Sequence, residues 1–136
     1  MRAYTDQRYQ RIVHAIEEIA RAQAGETLHI RFLCKACKVS ERTLRNAFRS
    51  IYGNTPYRHL REMRMREARE ALLNPRSSAA TVTLIAMQCG FLELGRFSVE
   101  YRSAFGESPS ATLRRSVDEQ TRYVGAAGTP MVLEAM

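Results

Sequence analysis

Apolar residues recur at every third or fourth position along most of this chain, which is the spacing that places them on one face of an α-helix. Runs with this spacing, bounded by glycine, proline or capping residues, predict helical segments. They fall at 5–22, 30–37, 40–53, 55–73, 83–89, 94–105 and from 108 to about 115. We therefore expect an all-α protein of about seven helices.

The most informative segment is 39–53, which predicts a surface helix with a basic outer face. Ser40 can cap the first turn with its hydroxyl, and Gly53 can adopt the left-handed conformation that ends a helix. The apolar face consists of Leu44, Ala47, Phe48 and Ile51, and the opposite face of Arg42, Arg45, Asn46 and Arg49. Arginine pairs bidentately with guanine and asparagine with adenine, so the outer face suits contact with DNA bases. A solvated charged surface is the alternative interpretation.

Segments 30–37 and 40–53 are separated by a tight turn and together predict a helix-turn-helix. The next helix opens at Thr55-Pro56 and, with about 19 residues, would be roughly 28 Å long. Because that length approaches the ~34 Å repeat of B-DNA, the helix suits a rigid linker between two DNA-reading units.

A second copy of the pattern follows the long helix. The stretches SERTLRNAFRSIYGNTP and ELGRFSVEYRSAFGESP both place an aromatic and a basic residue before a glycine, with a proline three positions after it. The predicted domains are an N-terminal helix packing on the first subdomain (1–27), a first helix-turn-helix (28–54), a linker helix (55–74) and a second helix-turn-helix (81–116). A shift to Gly, Ala, Thr and Pro without an apolar stripe predicts a mobile tail at 117–136.

Positive charge is concentrated in the first half of the chain. The net charge is +7, from 21 lysines and arginines against 14 aspartates and glutamates. Residues 28–73 carry 11 basic and 4 acidic side chains, whereas 81–116 carry 4 and 3, and 118–136 have a net charge of −2. A positive field over the first half suits a polyanionic partner.

The cysteines and the remaining motifs argue against an enzyme or a metal protein. Cys34, Cys37 and Cys89, in a chain with no signal peptide, indicate free thiols in a reducing cytoplasm. Cys34 and Cys37 have the spacing of half a zinc site, but about four ligands are needed and no second pair accompanies them. No apolar run approaches the ~18 residues of a membrane span. We expect no catalytic residue, no cofactor, no metal and no membrane contact.

The stretch IAMQCGFLELGRFSVEYRSAFGESPSATLR resembles the signature of the AraC/XylS family of bacterial transcription regulators. The elements that carry the resemblance are Gly90-Phe91, Phe97-Ser98, Phe105-Gly106 and Ser108-Pro109, and it covers roughly residues 8–115. It implies seven helices, with two helix-turn-helix units held on one face of double-stranded DNA by the linker helix. Its implied core includes Ile85, Ala86, Phe91, Phe97 and Phe105.

The resemblance also implies site residues, residue by residue. Base contact falls on Arg42, Arg45 and Asn46 in the first unit and on Leu94 and Gly95 in the second. Contact with the DNA backbone falls on Ser40, Thr43, Arg49, Arg96, Val99 and Arg102. Leu94 and Val99 are apolar where members often have a polar residue and an arginine, and Glu100 replaces a residue that is often basic. We therefore expect the first recognition helix to read bases and the second unit mainly to hold phosphates.

The resemblance also implies partners, and the residues themselves leave alternative interpretations open. Family members usually carry a separate sensor or dimerisation domain, so a stand-alone regulator and a piece of a longer chain both fit, and RNA polymerase is a further expected partner. The rival interpretation is a protein-protein interaction module that contacts RNA polymerase or a co-regulator through Leu92 and Leu94. RNA binding is the less favoured interpretation, because paired helix-turn-helix units fit duplex DNA better.

Two residues of the linker helix have expected positions of their own. Arg64 is expected in an ion pair or in contact with DNA, and His59 on the solvated surface.

Overall fold

The structure is a computed structural model that describes residues 2–76 and 79–127. Within these residues the chain forms seven α-helices and no strand. They are α1 (Arg2–Ala22), α2 (Ile30–Cys37), α3 (Glu41–Tyr52), α4 (Pro56–Leu73), α5 (Val82–Gln88), α6 (Leu94–Phe105) and α7 (Pro109–Ala127). The predicted all-α fold is confirmed, and none of the described helices is both long and apolar enough to span a membrane.

The main differences from the predicted helix boundaries lie in α1, α5 and α7. Helix α1 begins at Arg2 rather than at residue 5. Helix α5 begins before residue 83, because the hydroxyl of Thr81 accepts a hydrogen bond from Leu84 N at 3.1 Å and so caps the first turn. Helix α7 continues to Ala127, well beyond its predicted end near residue 115. The predicted mobile tail is therefore helical at 117–127, and the rest of it, 128–136, lies outside the described residues.

The chain divides into two compact units. The first consists of Met1–Arg66 with Gln88–Phe91, and the second of Glu67–Met87 with Leu92–Met136. In the first unit, α1 packs against α2 and α3. The core of this unit consists of Ile12, Val13, Ile16, Ala20, Leu33, Cys34, Leu44, Ala47, Phe48, Leu60 and Met63. Each large apolar side chain buried here stabilises the fold by about 1.5–3 kcal/mol, so α3 is held firmly by its inner face.

The second unit is built around Tyr101 of α6, which is completely buried. Its hydroxyl donates a hydrogen bond to Thr112 Oγ1 at 2.8 Å, and its ring contacts Phe105 edge-on with centroids 4.7 Å apart. The guanidinium of Arg69 lies over the Phe105 ring at 4.8 Å. Because a buried phenol needs a partner for its hydroxyl, the Tyr101–Thr112 bond links α6 to α7 in one orientation.

Arg64 of α4 is buried, and its guanidinium binds backbone carbonyls in the last turn of α1 and in the turn that follows it. Nη1 donates to Glu26 O, while Nη2 donates to Gln23 O at 2.9 Å and to Ala20 O at 3.5 Å. The last carbonyls of a helix have no partner within it and lie at the negative end of its dipole, so a buried arginine satisfies them. The predicted alternative of a DNA contact for Arg64 is wrong, because only 4% of the residue is exposed.

His59 of α4 is also buried, so the predicted surface position is wrong. Its ring stacks on Tyr52 with centroids 3.8 Å apart, and its Nε2 lies 3.7 Å from Glu17 Oε2. The Tyr52 hydroxyl donates to Glu17 Oε1 at 2.6 Å. This hydrogen bond, together with burial, raises the pKa of Tyr52 to about 12. The three side chains connect α1, α3 and α4 beneath the C-terminal end of α3.

Candidate nucleic-acid interface

Helix α3 starts and ends at the residues that the sequence predicts. Ser40 Oγ accepts a hydrogen bond from Thr43 N at 3.1 Å and donates one to Thr43 Oγ1 at 3.0 Å. Gly53 has the left-handed conformation (φ 72°), and its N–H donates to Arg49 O. Both predicted caps are confirmed. The Ser40 and Thr43 hydroxyls thus lie side by side at the N-terminal end of α3, with Ser40 exposed and Thr43 half-buried.

The turn before α3 uses a lysine in an uncommon conformation. Lys38 has φ 56° and ψ 44°, and it is the one residue other than glycine with a positive φ among the described residues. Its N–H donates to Lys35 O, and Val39 N donates to Cys34 O at 3.0 Å, so the last carbonyls of α2 are satisfied. Lys38 is exposed, which adds a cation next to the start of α3 that the sequence-based site did not include.

The outer face of α3 consists of four exposed side chains in one stripe: Arg42, Arg45, Asn46 and Arg49. They occupy positions i, i+3, i+4 and i+7, while Leu44, Ala47 and Phe48 are buried on the other side. Within the described residues, no ion pair or side-chain hydrogen bond engages any of the four. Their donors are therefore available to an outside acceptor, as contact with base edges and phosphates requires.

The one acidic residue of α3 does not interfere with this stripe. Glu41, in the first turn, lies 3.5 Å from Arg31 of α2, measured between Glu41 Oε1 and Arg31 Nε. An acidic side chain in the first turn also favours the helix dipole. The α3 face consequently keeps its positive charge.

Helix α6 presents a less charged surface. Gly95, Arg96, Val99 and Arg102 are exposed, whereas Leu94 is half-buried. Val99 is 71% exposed at the centre of this face. The helix lacks a side-chain cap, since Glu93 at the N-cap position makes no such hydrogen bond. The structure therefore brings four of the five predicted α6 residues to one surface, and it places Leu94 at the edge of that surface.

Arg96 is engaged by a neighbour on the same helix. Its Nε lies 2.9 Å from Glu100 Oε1, and it makes a hydrogen bond as well as an ion pair. The sequence predicts a phosphate contact for Arg96, and it shows Glu100 only as a departure from the family pattern. The i, i+4 spacing of the two residues was the signal that could have predicted the pair.

Cys34 and Cys37 do not have the lowered pKa of reactive thiols. Cys34 is buried and Cys37 is half-buried. Burial raises the pKa of both thiols, and the charge of Glu41 further raises that of Cys34. Thiols with raised pKa values remain protonated and are poor nucleophiles and poor metal ligands. Among the described residues, no group of three or more His, Cys, Asp or Glu side chains is placed to hold a metal ion.

Comparison with known families and proteins shows which kind of domain this chain contains. A helix-turn-helix domain family matches residues 33–115. The XylDLEGF operon transcriptional activator of Pseudomonas putida is 37% identical over 111 residues, which are 82% of this chain and 33% of that protein. The chain therefore spans about one third of the length of this relative.

Solved structures of DNA-binding proteins are also similar to this chain. A probable AraC family transcriptional regulator from Rhodopseudomonas palustris CGA009 has a TM-score of 0.67 and 33% identity, covering 78% of this chain and 97% of that one. The DNA-binding domain of the global transcriptional factor AdpA, solved in complex with a target DNA, has a TM-score of 0.63 and 24% identity, covering 84% of this chain and 94% of that one. At that identity the second likeness shows the fold alone.

Proposed function

This chain belongs to the AraC/XylS family of helix-turn-helix transcription regulators, whose DNA-binding module it carries, and we propose that it reads duplex DNA chiefly through α3. The observation that carries the proposal is the stripe of three arginines and one asparagine on α3, exposed and without an acidic partner in the described part of the chain. A helix with this face enters the major groove, where each base pair presents a distinct set of donors and acceptors.

In this proposal, the side chains of α3 contact different parts of the DNA according to their position on the helix. Arg42, Arg45 and Asn46 contact base edges, since guanidinium and amide groups make bidentate pairs with guanine and adenine. Arg49, near the C-terminal end, contacts the backbone. The Ser40 and Thr43 hydroxyls, which lie together at the N-terminal end, hold a phosphate in register. Phosphate contacts position the helix and base contacts specify the sequence.

In the second unit, Arg96, Val99 and Arg102 contact the DNA backbone, and Leu94 and Gly95 lie near base edges. The support is the exposed face of α6, which has two arginines but no amide and no base-reading arginine at its centre, where Val99 lies. An apolar side chain can contact the methyl group of thymine but cannot distinguish bases by hydrogen bonds. The second unit therefore adds affinity and little sequence information.

The whole protein acts, in this proposal, as a transcription activator in the bacterial cytoplasm. The relative from Pseudomonas putida is a transcriptional activator about three times as long as the matched segment, which supports a sensor or dimerisation domain working with this module. RNA polymerase is the partner through which an activator acts. Double-stranded DNA is the partner of the module itself.

The test compares two arginine-to-alanine variants that remove the same charge. Arg45→Ala removes a base-reading side chain from α3, and Arg8→Ala removes another exposed arginine from α1 of the same unit. Binding is measured on a duplex selected from a random library and on a mixed-sequence duplex. We expect Arg45→Ala to weaken binding to the selected duplex by about 1–3 kcal/mol and to change mixed-sequence binding little.

The outcomes separate three cases. An equal loss for Arg45→Ala on both duplexes means that Arg45 contacts phosphate rather than a base. An equal loss for Arg45→Ala and Arg8→Ala means that only net charge matters, and base reading by α3 is then rejected. If selection enriches no sequence, the proposed reading function itself fails.

A second candidate function, docking of another protein on the second unit, is favoured by one observation. Leu92 and Val99 are 67% and 71% exposed next to and on α6, which is more apolar surface than phosphate contact requires. The test is Leu92→Asp, which adds a charge at an exposed position and leaves the half-buried Leu94 in place. Loss of co-purifying RNA polymerase with unchanged DNA affinity supports docking, and loss of DNA affinity refutes it.

A further inference from the structure

The second recognition helix carries its own acidic residue on the edge of its exposed face. Glu100 is the one acid in α6, and the helix has two arginines, Arg96 and Arg102. Arg96 Nε lies 2.9 Å from Glu100 Oε1, while the two side chains are 62% and 33% exposed. The pair is thus at the surface, where a DNA phosphate would meet it.

The first unit is arranged in the opposite way. Glu41, the one acid of α3, lies in the first turn and is 3.5 Å from Arg31 of α2. Within the described residues, the α3 arginines make no ion pair, so no carboxylate competes with an outside anion for them. Of the two equivalent helices, α3 has its acid paired with an arginine outside its reading face, and α6 has its acid paired with an arginine of that face.

From this difference we propose that Glu100 restrains Arg96 and so lowers the affinity of the second unit for DNA phosphates. The proposal rests on the proposed function, since it names a residue that controls DNA binding by the second unit. Glu100 is a positioning residue: it acts through Arg96 and makes no DNA contact of its own. Binding then depends mainly on α3, so sites are chosen by the bases that α3 reads.

The physical basis is a competition for one guanidinium. A phosphate near α6 must either replace Glu100 as the partner of Arg96 or lie close to the Glu100 carboxylate, which repels it because both are negative. The pair is easy to break, because it is exposed and because an acid placed C-terminal to its base is the weaker order in a helix. The restraint therefore reduces affinity without preventing contact.

The experiment is a double-mutant cycle on the full chain. Wild type, Glu100→Gln, Arg96→Ala and the double variant are titrated with a mixed-sequence duplex at several salt concentrations. Glutamine keeps the size of the side chain and removes its charge. We expect Glu100→Gln to tighten binding about three- to tenfold. It should also steepen the slope of log affinity against log salt by up to about 0.9, because Arg96 then neutralises a phosphate without competition from a carboxylate.

In the Arg96→Ala background, the same Glu100→Gln change should have a much smaller effect, since no arginine is left to release. Equal effects in the two backgrounds would overturn the proposal, because Glu100 would then act only as a negative charge. Asp118→Asn, an exposed residue of α7, controls for the loss of one charge elsewhere in the second unit and should leave affinity nearly unchanged.

The cycle also separates this inference from the function on which it rests. Wild type that binds the duplex, with no effect of Glu100→Gln, rejects the restraint and leaves DNA binding intact. Wild type that does not bind duplex DNA in any salt rejects the proposed function, and with it the restraint. Far-UV circular dichroism of the four proteins verifies that each retains its helices.

Discussion

Replacing Gly90 by alanine tests whether the close packing of Gly90 against Arg64 and Ala24 stabilises the first unit. Gly90 has φ +90°, and a Cβ atom added there would lie 2.6 Å from Arg64 Nη1, 2.9 Å from Ala24 O and 3.2 Å from Glu26 O. Real Cβ atoms essentially never lie within 3.0 Å of another atom, as the first two distances would require, so the backbone or Arg64 must shift. A shift of Arg64 would break its hydrogen bonds to the carbonyls at the end of α1.

The expected loss in free energy of unfolding for Gly90→Ala is the sum of two effects. A left-handed conformation costs a residue with a side chain about 1–2 kcal/mol relative to glycine. Leaving one buried hydrogen-bonding group of the Arg64 cluster unsatisfied costs about 1–3 kcal/mol more. We therefore expect Gly90→Ala to lower the free energy of unfolding of the first unit by about 2–5 kcal/mol.

Two other glycines are the matched controls. Gly53 has φ +72°, but an added Cβ would meet nothing within 4 Å, so Gly53→Ala should cost only the conformational part, about 1–2 kcal/mol. Gly95 lies within α6, has no positive φ, and also has open space around an added Cβ. Gly95→Ala should stabilise the helix by about 0.5–1 kcal/mol.

Equilibrium unfolding in urea, followed by far-UV circular dichroism, measures all three variants. The expected order of stability is Gly95→Ala, wild type, Gly53→Ala and Gly90→Ala. If Gly90→Ala and Gly53→Ala lose the same free energy, the close approach of Arg64 and Ala24 to Gly90 is not a constraint, and the reasoning is refuted.

Two further predictions concern the ends of α3. Ser40→Ala should cost about 1 kcal/mol in urea unfolding, because it removes the hydrogen bonds to Thr43, whereas Ser50→Ala on the same helix should cost little; equal losses would contradict the capping role. The raised pKa of Tyr52 predicts that stability from its bond to Glu17 is present below pH 10 and falls as the pH approaches 12. Tyr52→Phe should lose less stability over that interval, and an identical pH profile would refute the coupling.

The parts of the fold that the sequence predicted correctly depend on local signals. Helix α3 has a serine cap, a glycine stop and an apolar stripe within a single short segment, so its limits needed no knowledge of the rest of the chain. The outer face of α3 follows from the same periodicity. For this reason the candidate DNA-reading residues could be chosen from the sequence, although their contacts with DNA remain predictions.

The parts that were missed depend on polar groups buried by distant partners. Ser116, in the segment of α7 beyond its predicted end, is buried and donates to Leu72 O at 2.7 Å. A buried serine does not add to an apolar stripe, so periodicity ended α7 too early. Arg64 likewise looks like a surface residue in the sequence, and its partners lie 38 to 44 residues away. Pairing at that distance cannot be derived from local pattern.

The assignment of Gln88–Phe91 to the first unit affects synthesis of the chain on the ribosome. This short segment begins at the last residue of α5. It supplies the glycine beside Arg64 and the Phe91 ring, whose centroid lies 5.2 Å from the Arg61 guanidinium. When Arg66 leaves the exit tunnel, these residues lie further along the chain and have not yet emerged from it. The N-terminal unit therefore cannot complete its packing as soon as its main segment emerges, and it closes only after much of the second unit's chain has been made.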